Sequence, residues 1–261
     1  MDDLHWETTI TEVKPNELRL RGYRLDELMG TVGFSEAIWL ALMGDLPNPK
    51  VARLIDAIFV SSIDHGATPP SALATHTAAS TGAPLNASVA AGILSINKWH
   101  GGAVEDAMRV FYDGVGGMGK KSIDEAARAA LDKLEQSGVK VMGYGHRVHT
   151  KDPRTTRLFE LARDAELTGR YIQFAIALEE NLAYHKKKPL PINVDGAIAA
   201  ILCELGVPVE LANAFFMIAR LPGLVAHAHE EMTLQKPMRR IHPSDHSYAG
   251  PAARELPDDN K

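Results

Sequence analysis

The sequence predicts an all-α protein that begins with one short β-hairpin. Apolar residues recur at the i, i+3, i+4 spacing of amphipathic helices through most of the chain, and glycines and prolines separate these periodic segments. The sequence does not show the alternation of strand and helix patterns that builds a parallel sheet. With 261 residues, 45% of them hydrophobic, the chain can bury most of its apolar surface and is close to the upper size of a single domain.

The hairpin is expected in the N-terminal segment, residues 1–30. Polar and apolar residues partly alternate over residues 8–13 and again over 17–23, with Pro15 and Asn16 between them. Side chains alternate between the two faces of a strand, and proline and asparagine favour turns, so the pattern predicts two short strands joined at this dipeptide.

Helical periodicity follows, and each segment places its apolar residues on one face. The segments with this spacing are 34–42, 51–59, 123–134, 158–165, 171–182 and 211–218. A further run of helix-forming residues follows Asp195. The glycines between 114 and 119 are expected to form a turn.

Composition excludes a nucleic-acid partner and gives no sign of a membrane span. The net charge is −5, and the longest run of basic residues is the three lysines 186–188. The single cysteine, Cys203, lies in an apolar run and is expected to be a buried, unreactive thiol. The N-terminus resembles no leader sequence, and no stretch approaches the roughly 20 apolar residues of a span, so the expected location is cytoplasmic.

Three histidines next to glycines or turn formers are candidates for chemistry: His65, His100 and His146. Alone, each is more simply interpreted as a packing or capping residue. All three lie near predicted loop-to-helix boundaries, where unpaired N–H groups and the positive helix end favour an anionic ligand. Gly143 and Gly145 would let backbone and ligand approach closely beside His146.

One carboxylate and two guanidinium groups complete the candidates. Asp195 precedes a strong helix former, so it is equally well interpreted as a helix N-cap or as a general base. Arg154 and Arg220 could each grip a carboxylate with two parallel hydrogen bonds. The alternatives are a solvated helix start for Arg154 and an ion pair with Glu230 or Glu231 for Arg220.

Two further patterns are weak. Residues 114–120 have the spacing of a phosphate-binding loop, but Lys121 stands where the Mg²⁺-binding hydroxyl is required. His227 and His229 are two residues apart, which on a helix directs them to nearly opposite sides. We therefore expect neither nucleotide hydrolysis nor a metal site.

Several segments together resemble the citrate synthase superfamily, in the family's order and over nearly the whole chain after residue 30. They are residues 64–71 and 75–83, Trp99-His100-Gly101-Gly102-Ala103, Gly143-Tyr144-Gly145-His146-Arg147-Val148 with Asp152-Pro153-Arg154, Asn193-Val194-Asp195, and Arg220 with Gly223. The resemblance implies a citrate synthase-like helical domain over residues 31–250, with large and small lobes, the small lobe at about 105–190. The remaining residues, 251–261, are expected to form a flexible tail.

The resemblance also implies roles for the candidate residues. His65 would contact oxaloacetate, His100 would polarise the thioester carbonyl, and His146 would donate to the keto oxygen. Asp195 would be the catalytic base.

Carboxylate binding is implied for Arg154 and Arg220, and family members are dimers in which an arginine from the partner's C-terminal segment completes the site. Arg239 or Arg240 is the candidate here, and Arg240 is preferred. Coenzyme A would lie against Gly143, Gly145 and Lys151, although other lysines also qualify for its phosphates. No tightly bound cofactor is implied, because the CoA thioester is a substrate.

Within the superfamily, the resemblance is closest to citryl-CoA lyases, both stand-alone and as the module of ATP-citrate lyase. Residues 145–148, 193–196 and 240–248 favour this branch. The implied reaction is citryl-CoA to acetyl-CoA and oxaloacetate. His100 also fits the alternatives, citrate synthase or 2-methylcitrate synthase, and a third possibility is a non-catalytic regulatory subunit.

Overall fold

The structure, a computed structural model, describes residues 5–145, 152–240, 245 and 247–255. It begins with an antiparallel sheet of three short strands, β1 (Thr11–Lys14), β2 (Glu17–Leu20) and β3 (Tyr23–Arg24), in that order. The predicted hairpin is confirmed, and the third strand extends it. Asn16 has φ 60°, a left-handed conformation that asparagine tolerates in tight turns.

The sheet is attached to the helical body by an arginine. Val13 pairs with Leu18 on one face of the sheet, whereas Glu12 pairs with Arg19 on the other. Arg21 donates from Nε and Nη2 to the carbonyl oxygen of Ala41, at 3.1 and 2.8 Å. These two bonds fix the small sheet against the second helix.

Eleven α-helices account for most of the described residues, which confirms the all-α prediction. They are α1 (Leu25–Leu28), α2 (Phe34–Met43), α3 (Pro49–Ser61), α4 (Pro70–Ser80), α5 (Leu85–Leu94), α6 (Ala103–Gly116), α7 (Ile123–Gln136), α8 (Pro153–Asp164), α9 (Arg170–Lys186), α10 (Val194–Glu204) and α11 (Ala212–Leu234). A 3₁₀ turn, Val209–Leu211, precedes α11.

Local capping explains where several helices begin. The Asn48 side chain accepts from the backbone N–H groups of Lys50 and Val51, and Pro49 occupies the first helical position of α3. Ser122 and Glu125 form a reciprocal capping box at the start of α7. These pairs satisfy N–H groups that have no partner within the helix.

Helices α6 to α10 form one packed group, which we call the α10 core. Helix α10 packs against α6, α8 and α9, and nine of its eleven residues are buried. Phe111 and Phe174 contribute fully buried rings that meet edge to face. A helix buried on nearly all sides is the expected result of a sequence that is apolar all round.

Helices α4, α5 and α11 form a second group, which we call the α11 bundle. Its apolar core is small and consists of Val89, Leu224 and Ala228, with Ile93 packed against it. The two groups meet where α11 contacts α6, and α3 bridges them because it contacts both α8 and α11. The division into large and small lobes stays a prediction.

The long helix at the end of the described fold corrects one expectation. The segment Val209–Leu234 is long and apolar enough, by length and composition, to cross a membrane. It nevertheless contacts α3, α4, α5 and α6, and it carries Arg220 and Glu231 as buried side chains with partners in the protein. These contacts attach the helix to the rest of the described fold, although only 33% of its most apolar 18-residue window is buried.

Four helices were not indicated by periodicity, namely α1, α4, α5 and α6. In α4, buried Ser71, Thr75 and Ser80 replace an apolar stripe. Helix α6 continues through Gly114 and Gly116, so the turn expected at residues 114–119 is wrong over its first half. A side chain at Gly114 would collide with the ring of Phe174, and close helix packing explains this glycine.

Cys203 is buried as expected, and burial raises the pKa of its thiol. At the other end of the fold, residues 251–255 are exposed and have no regular secondary structure. The remainder of the predicted tail, 256–261, lies outside the described residues.

Candidate active site

One asparagine joins a loop to the start of α10. The Oδ1 atom of Asn193 accepts from the N–H groups of Asp195 and Gly196, at 3.0 and 3.2 Å. Its Nδ2 atom donates to the Gly145 carbonyl oxygen at 2.9 Å. The same amide therefore caps the helix and holds the loop that leads to His146.

Close backbone contact completes this junction. The Gly145 N–H donates to the carbonyl oxygen of Pro191 at 2.7 Å, and the Asn193 N–H donates to that of Gly143 at 3.0 Å. Gly143 and Gly145 have φ values of 84° and 81°, in the region that glycine adopts readily. A Cβ on Gly143 would lie 2.7 Å from the Gly196 Cα, so both positions need glycine.

Asp195 lies in the first turn of α10 and is partly buried. Asn193, and not Asp195, is the N-cap, which corrects the capping interpretation of Asp195. The other interpretation of Asp195, as a general base, stays a prediction.

His100 follows a tight turn and faces the α11 bundle. The N–H and C=O groups of Asn97 and His100 bond to each other at 2.9 and 2.8 Å. His100 Nε2 lies 2.8 Å from Ser71 Oγ, and its ring meets Phe216 edge to face. Burial, followed by the charges of Arg220 and His65, lowers the pKa of His100. The neutral imidazole is therefore the dominant form near pH 7.

Arg220 is buried inside α11, with 5% of its surface exposed. Its Nε donates to the Ser62 carbonyl oxygen at 2.9 Å, and its guanidinium carbon lies 5.0 Å from the centre of the Phe216 ring. Burial lowers the pKa of Arg220, the charges of Asp64 and Asp195 oppose this shift, and that of Arg154 adds to it. The expected ion pair with Glu230 or Glu231 is wrong, since Glu231 pairs with Arg239 instead.

Arg154 lies at the start of α8, and its side chain approaches the end of α3, as that of Arg220 does. Its Nε and Nη2 donate to the two oxygens of Asp152 at 3.1 and 2.9 Å, and its Nη1 lies 3.4 Å from the Ser61 carbonyl oxygen. A solvated helix start is therefore wrong for Arg154. Two arginines, from α8 and α11, meet at the end of α3, where Ser61 and Ser62 accept from them.

Five predicted residues thus form one cluster between the α10 core and the α11 bundle. They are His65, His100, Arg154, Asp195 and Arg220. Two guanidinium groups, a neutral imidazole and a carboxylate at one place suit a dianionic substrate whose reaction moves a proton.

Three predicted residues are not part of this described cluster. His146 and Lys151 lie outside the described residues, although Gly145 places the chain beside Asn193 just before His146. Arg240 is exposed beyond the end of α11.

Residues 41–243 match the family description "Citrate synthase, C-terminal domain". The chain belongs to the citrate synthase family.

Three similar proteins describe this family membership further. A solved structure of citryl-CoA lyase from Hydrogenobacter thermophilus is 43% identical, has a TM-score of 0.90, and is covered over 98% of both chains. The ATP citrate lyase of Methanosaeta concilii, solved in complex with (3S)-citryl-CoA, is 23% identical with a TM-score of 0.82, and the alignment covers 97% of this chain and 43% of that one. At this identity the likeness concerns the fold.

The third relative is ATP-citrate synthase beta chain protein 2 of Arabidopsis thaliana, which is 26% identical over 259 residues. The match covers 93% of this chain but 40% of the relative, so the chain spans less than half the length of this larger protein.

Sequence analysis assigned no role to several residues that shape this citrate synthase-family site. Ser71 bonds to His100, Asp152 pairs with Arg154, Asn193 joins loop and helix, and Phe216 lies beside both His100 and Arg220. Ser71 and Asn193 lie within the segments that resemble the citrate synthase superfamily. This location was the sign in the sequence that they belong to the site.

The residues of the two weak patterns make contacts within the fold. Gly114 and Gly116 lie in helix α6, and His227 pairs with Asp64 at 2.9 Å. Within the ranges that the structure describes, no group of three His, Cys, Asp or Glu residues is placed to hold a metal ion.

Proposed function

We propose that this chain cleaves citryl-CoA to acetyl-CoA and oxaloacetate. The observation that carries the proposal is its likeness, over 98% of both chains and at 43% identity, to a citryl-CoA lyase. The cluster of Asp195, His100, Arg154 and Arg220 supplies groups that this reaction requires.

Cleavage begins at the tertiary hydroxyl group of citryl-CoA. His146 accepts its proton, the electron pair of the O–H bond forms the keto group of oxaloacetate, and the bond to the thioester CH₂ breaks. The electron pair of that bond passes into the thioester, giving the enolate of acetyl-CoA. Asp195, which takes part in this direction as the carboxylic acid, then donates its proton to the CH₂ carbon. The Asp195 carboxylate regains a proton from solvent and His146 gives one up, which restores both groups for the next turnover.

His100 stabilises the enolate oxygen by donating a hydrogen bond. A neutral imidazole has one N–H group to donate, and the lowered pKa of His100 favours this neutral form. Preorganised donors to a developing oxyanion contribute about 10²- to 10³-fold in rate. Ser71 orients this ring through Nε2.

Arg154, Arg220 and His65 hold the carboxylates of the substrate. Both guanidinium groups are already oriented, one by Asp152 and the other by the Ser62 carbonyl oxygen. Fixed orientation lowers the entropic cost of bringing reacting groups together. In the reverse direction the same residues would hold oxaloacetate.

Coenzyme A enters this proposal as part of the substrate. Two relatives are solved with citryl-CoA or with citrate and coenzyme A. Gly143 and Gly145 bring the backbone close to the start of α10, which carries Asp195, and we place the thioester there. Lys151 is proposed to meet a CoA phosphate. We propose no tightly bound cofactor.

A coupled assay tests the function and separates it from its rival. Purified protein given citryl-CoA is expected to produce oxaloacetate, measured with malate dehydrogenase and NADH. Protein given acetyl-CoA and oxaloacetate is expected not to release free CoA. Release of free CoA there, with no cleavage of citryl-CoA, would support citrate synthase or 2-methylcitrate synthase. No turnover with either substrate would support a regulatory subunit.

We also propose that two copies of the chain form a homodimer through the α11 bundle. Leu73, Leu85, Leu94 and Val225 are exposed on its helices. Of the most apolar 18-residue window of the long helix, 33% is buried. A second copy would cover this surface, and Arg240 would then reach the partner's site. A cytoplasmic location is part of the proposal, and the buried thiol of Cys203 is compatible with it.

A further inference from the structure

A buried carboxylate in α11 holds two different elements. Glu231, 3% exposed, accepts from Nδ1 of His76 on α4 at 2.9 Å. It also accepts from Arg239, whose Nε lies 3.0 and 3.1 Å from its two oxygens and whose Nη2 makes a further short bond. The segment after α11 is tied again where the Met238 N–H donates to the Ser80 carbonyl oxygen at 2.7 Å.

The network continues from His76 toward the substrate-binding loop. His76, 5% exposed, packs its ring against that of His227 at a centroid distance of 4.9 Å and an interplanar angle of 64°. His227 Nε2 lies 2.9 Å from Asp64 Oδ1, and Asp64 Oδ2 accepts from the Gly66 N–H at 2.8 Å. Asp64 is the residue before His65.

The proton positions follow from the partners. A carboxylate only accepts, so Nδ1 of His76 and Nε2 of His227 both carry protons. Hydrogen bonding to Arg239 lowers the pKa of Glu231 despite burial. For Asp64, burial alone would raise the pKa, but the N–H groups of Gly66 and His65 and the ring of His227 lower it. Both carboxyl groups are therefore ionised acceptors.

The backbone of α11 also supports the loop directly. A Cβ on Gly223 would overlap the Ile63 carbonyl oxygen and lie 3.1 Å from Asp64 Oδ1. The loop therefore rests on α11 between Gly223 and His227, with little room to shift without moving Asp64.

We propose that Glu231 is a positioning residue that orients two substrate-binding elements at once, the His65 loop and the segment carrying Arg240. This inference rests on the proposed function for the roles of His65 and Arg240. The contact network itself does not depend on that function. One buried carboxylate fixes Arg239 on one side. On the other side it reaches the loop of His65 through His76, His227 and Asp64.

The expected kinetic signature follows from what these elements bind. His65 and Arg240 contact the carboxylates of the substrate, which are present both before and during the reaction. Loss of such uniform binding raises KM and leaves kcat nearly unchanged.

The test compares Glu231→Gln with Glu230→Gln in the full chain. Both remove one negative charge from neighbouring positions, but Glu230 is exposed. E231Q is expected to raise the KM for citryl-CoA about 10-fold and to change kcat by less than about 3-fold. For E230Q, both KM and kcat are expected to stay within about 2-fold of the values of the original protein. Equal KM values for E231Q and the original protein would overturn the proposal.

A double-mutant cycle separates positioning from a general loss of stability. If Glu231 acts through the C-terminal segment, E231Q in an Arg240→Ala background raises KM by a smaller factor than it does alone. Equal factors in the two backgrounds would mean that Glu231 does not act through Arg240, and would overturn that half of the proposal.

Hydrogen exchange supplies a measurement that does not need activity. In E231Q, the amides of His65 and Gly66 are expected to exchange at least about 5-fold faster, with no such change in E230Q. Unchanged exchange in a folded E231Q overturns the link to the loop. Failure of the original protein to cleave citryl-CoA would instead count against the proposed function. If thermal melting shows E231Q unfolded, Arg239→Gln, whose side chain is 44% exposed, replaces it with the same expected KM increase.

Discussion

The α10 core and the α11 bundle are held together in different ways. The α10 core encloses a continuous apolar interior, in which Phe111, Phe174 and most of α10 are buried. The α11 bundle has a separate apolar cluster of three buried residues and a chain of buried or half-buried polar groups from Glu231 to His227. It also exposes large apolar side chains such as Leu94, which is 77% exposed.

The two groups contribute different side chains to the site. Asp195 and Arg154 come from helices of the α10 core, whereas Arg220 comes from α11 of the bundle and His65 from the loop that rests on α11. The site is therefore assembled from both groups, and the proposed second copy would stabilise the bundle side. The predictions below test each side of this comparison.

The largest expected effect is on turnover, from Asp195→Asn in the α10 core. Turnover of citryl-CoA should fall at least about 10²-fold, because general acid–base catalysis contributes about 10² to 10⁴. The melting temperature should change little, because Asn193 and not Asp195 caps the helix. Steady-state kinetics and thermal melting measure the two quantities.

The matched control for this change is Asn193→Ala. It removes the cap, and stability should fall by about 0.5–2 kcal/mol. If D195N turned over at a near-normal rate, Asp195 would have no place in the chemistry.

The second expected effect concerns association through the α11 bundle. Leu94→Lys should convert the proposed dimer to a monomer, because a charge would then enter an apolar interface. Light scattering after size-exclusion chromatography measures the mass. Val139→Lys, at a position 55% exposed before α8, should leave the mass unchanged. A monomeric original protein with full activity would contradict the dimer.

The third effect is on the contact between the His146 loop and α10. Gly196→Ala places a Cβ against the Gly143 carbonyl oxygen, and overpacking of this kind costs about 1–3 kcal/mol. Urea unfolding measures the loss. Gly116→Ala is the control: a Cβ there meets open space at the end of α6, and the expected change is a gain of about 0.4–1 kcal/mol. Equal effects at both glycines would show that close approach is unimportant.

The smallest expected effect concerns the pKa of His100. NMR should give a pKa below 6.5, because burial and the charges of Arg220 and His65 disfavour the imidazolium form. In Arg220→Gln the pKa of His100 should rise, because the charge of Arg220 is removed. The neutral ring is favoured in the folded protein, so this residue's contribution to stability is complete above pH 6.5 and is lost as the pH falls from 6.5 through the lower folded pKa. A pKa above 6.5 would contradict the arrangement.

Sequence periodicity predicted the helices whose apolar residues lie on one side, such as α3 and α7. It did not indicate α4, because that helix buries Ser71, Thr75 and His76 against α11 in place of an apolar stripe. Ser71 and His76 are buried with tertiary partners, His100 and Glu231, that bond to their side chains, whereas Thr75 Oγ1 has no hydrogen-bond partner among the described residues. These partners are distant in sequence, so local periodicity does not indicate them.

The site shows the same limit at the level of single residues. Asn193 and Asp195 are both good cap formers, and spacing alone does not distinguish the cap from the candidate base. For Arg220 the sequence left open a substrate carboxylate or a nearby glutamate as partner, whereas within the protein its Nε donates to the Ser62 carbonyl oxygen. Every residue has a backbone carbonyl, so the residue type gives no sign of which carbonyl accepts a side-chain hydrogen bond. Motif order, by contrast, identified five residues that the fold brings together.

The amide of Asn193 has a consequence for substitution. Its oxygen receives two N–H groups of α10, and its nitrogen donates to the Gly145 carbonyl. Aspartate has almost the same shape, yet it would turn that donor into a second acceptor and set two electron-rich oxygens against each other. The exchange of a single nitrogen for an oxygen would thus leave the helix capped while repelling the segment that delivers the proton acceptor to the substrate.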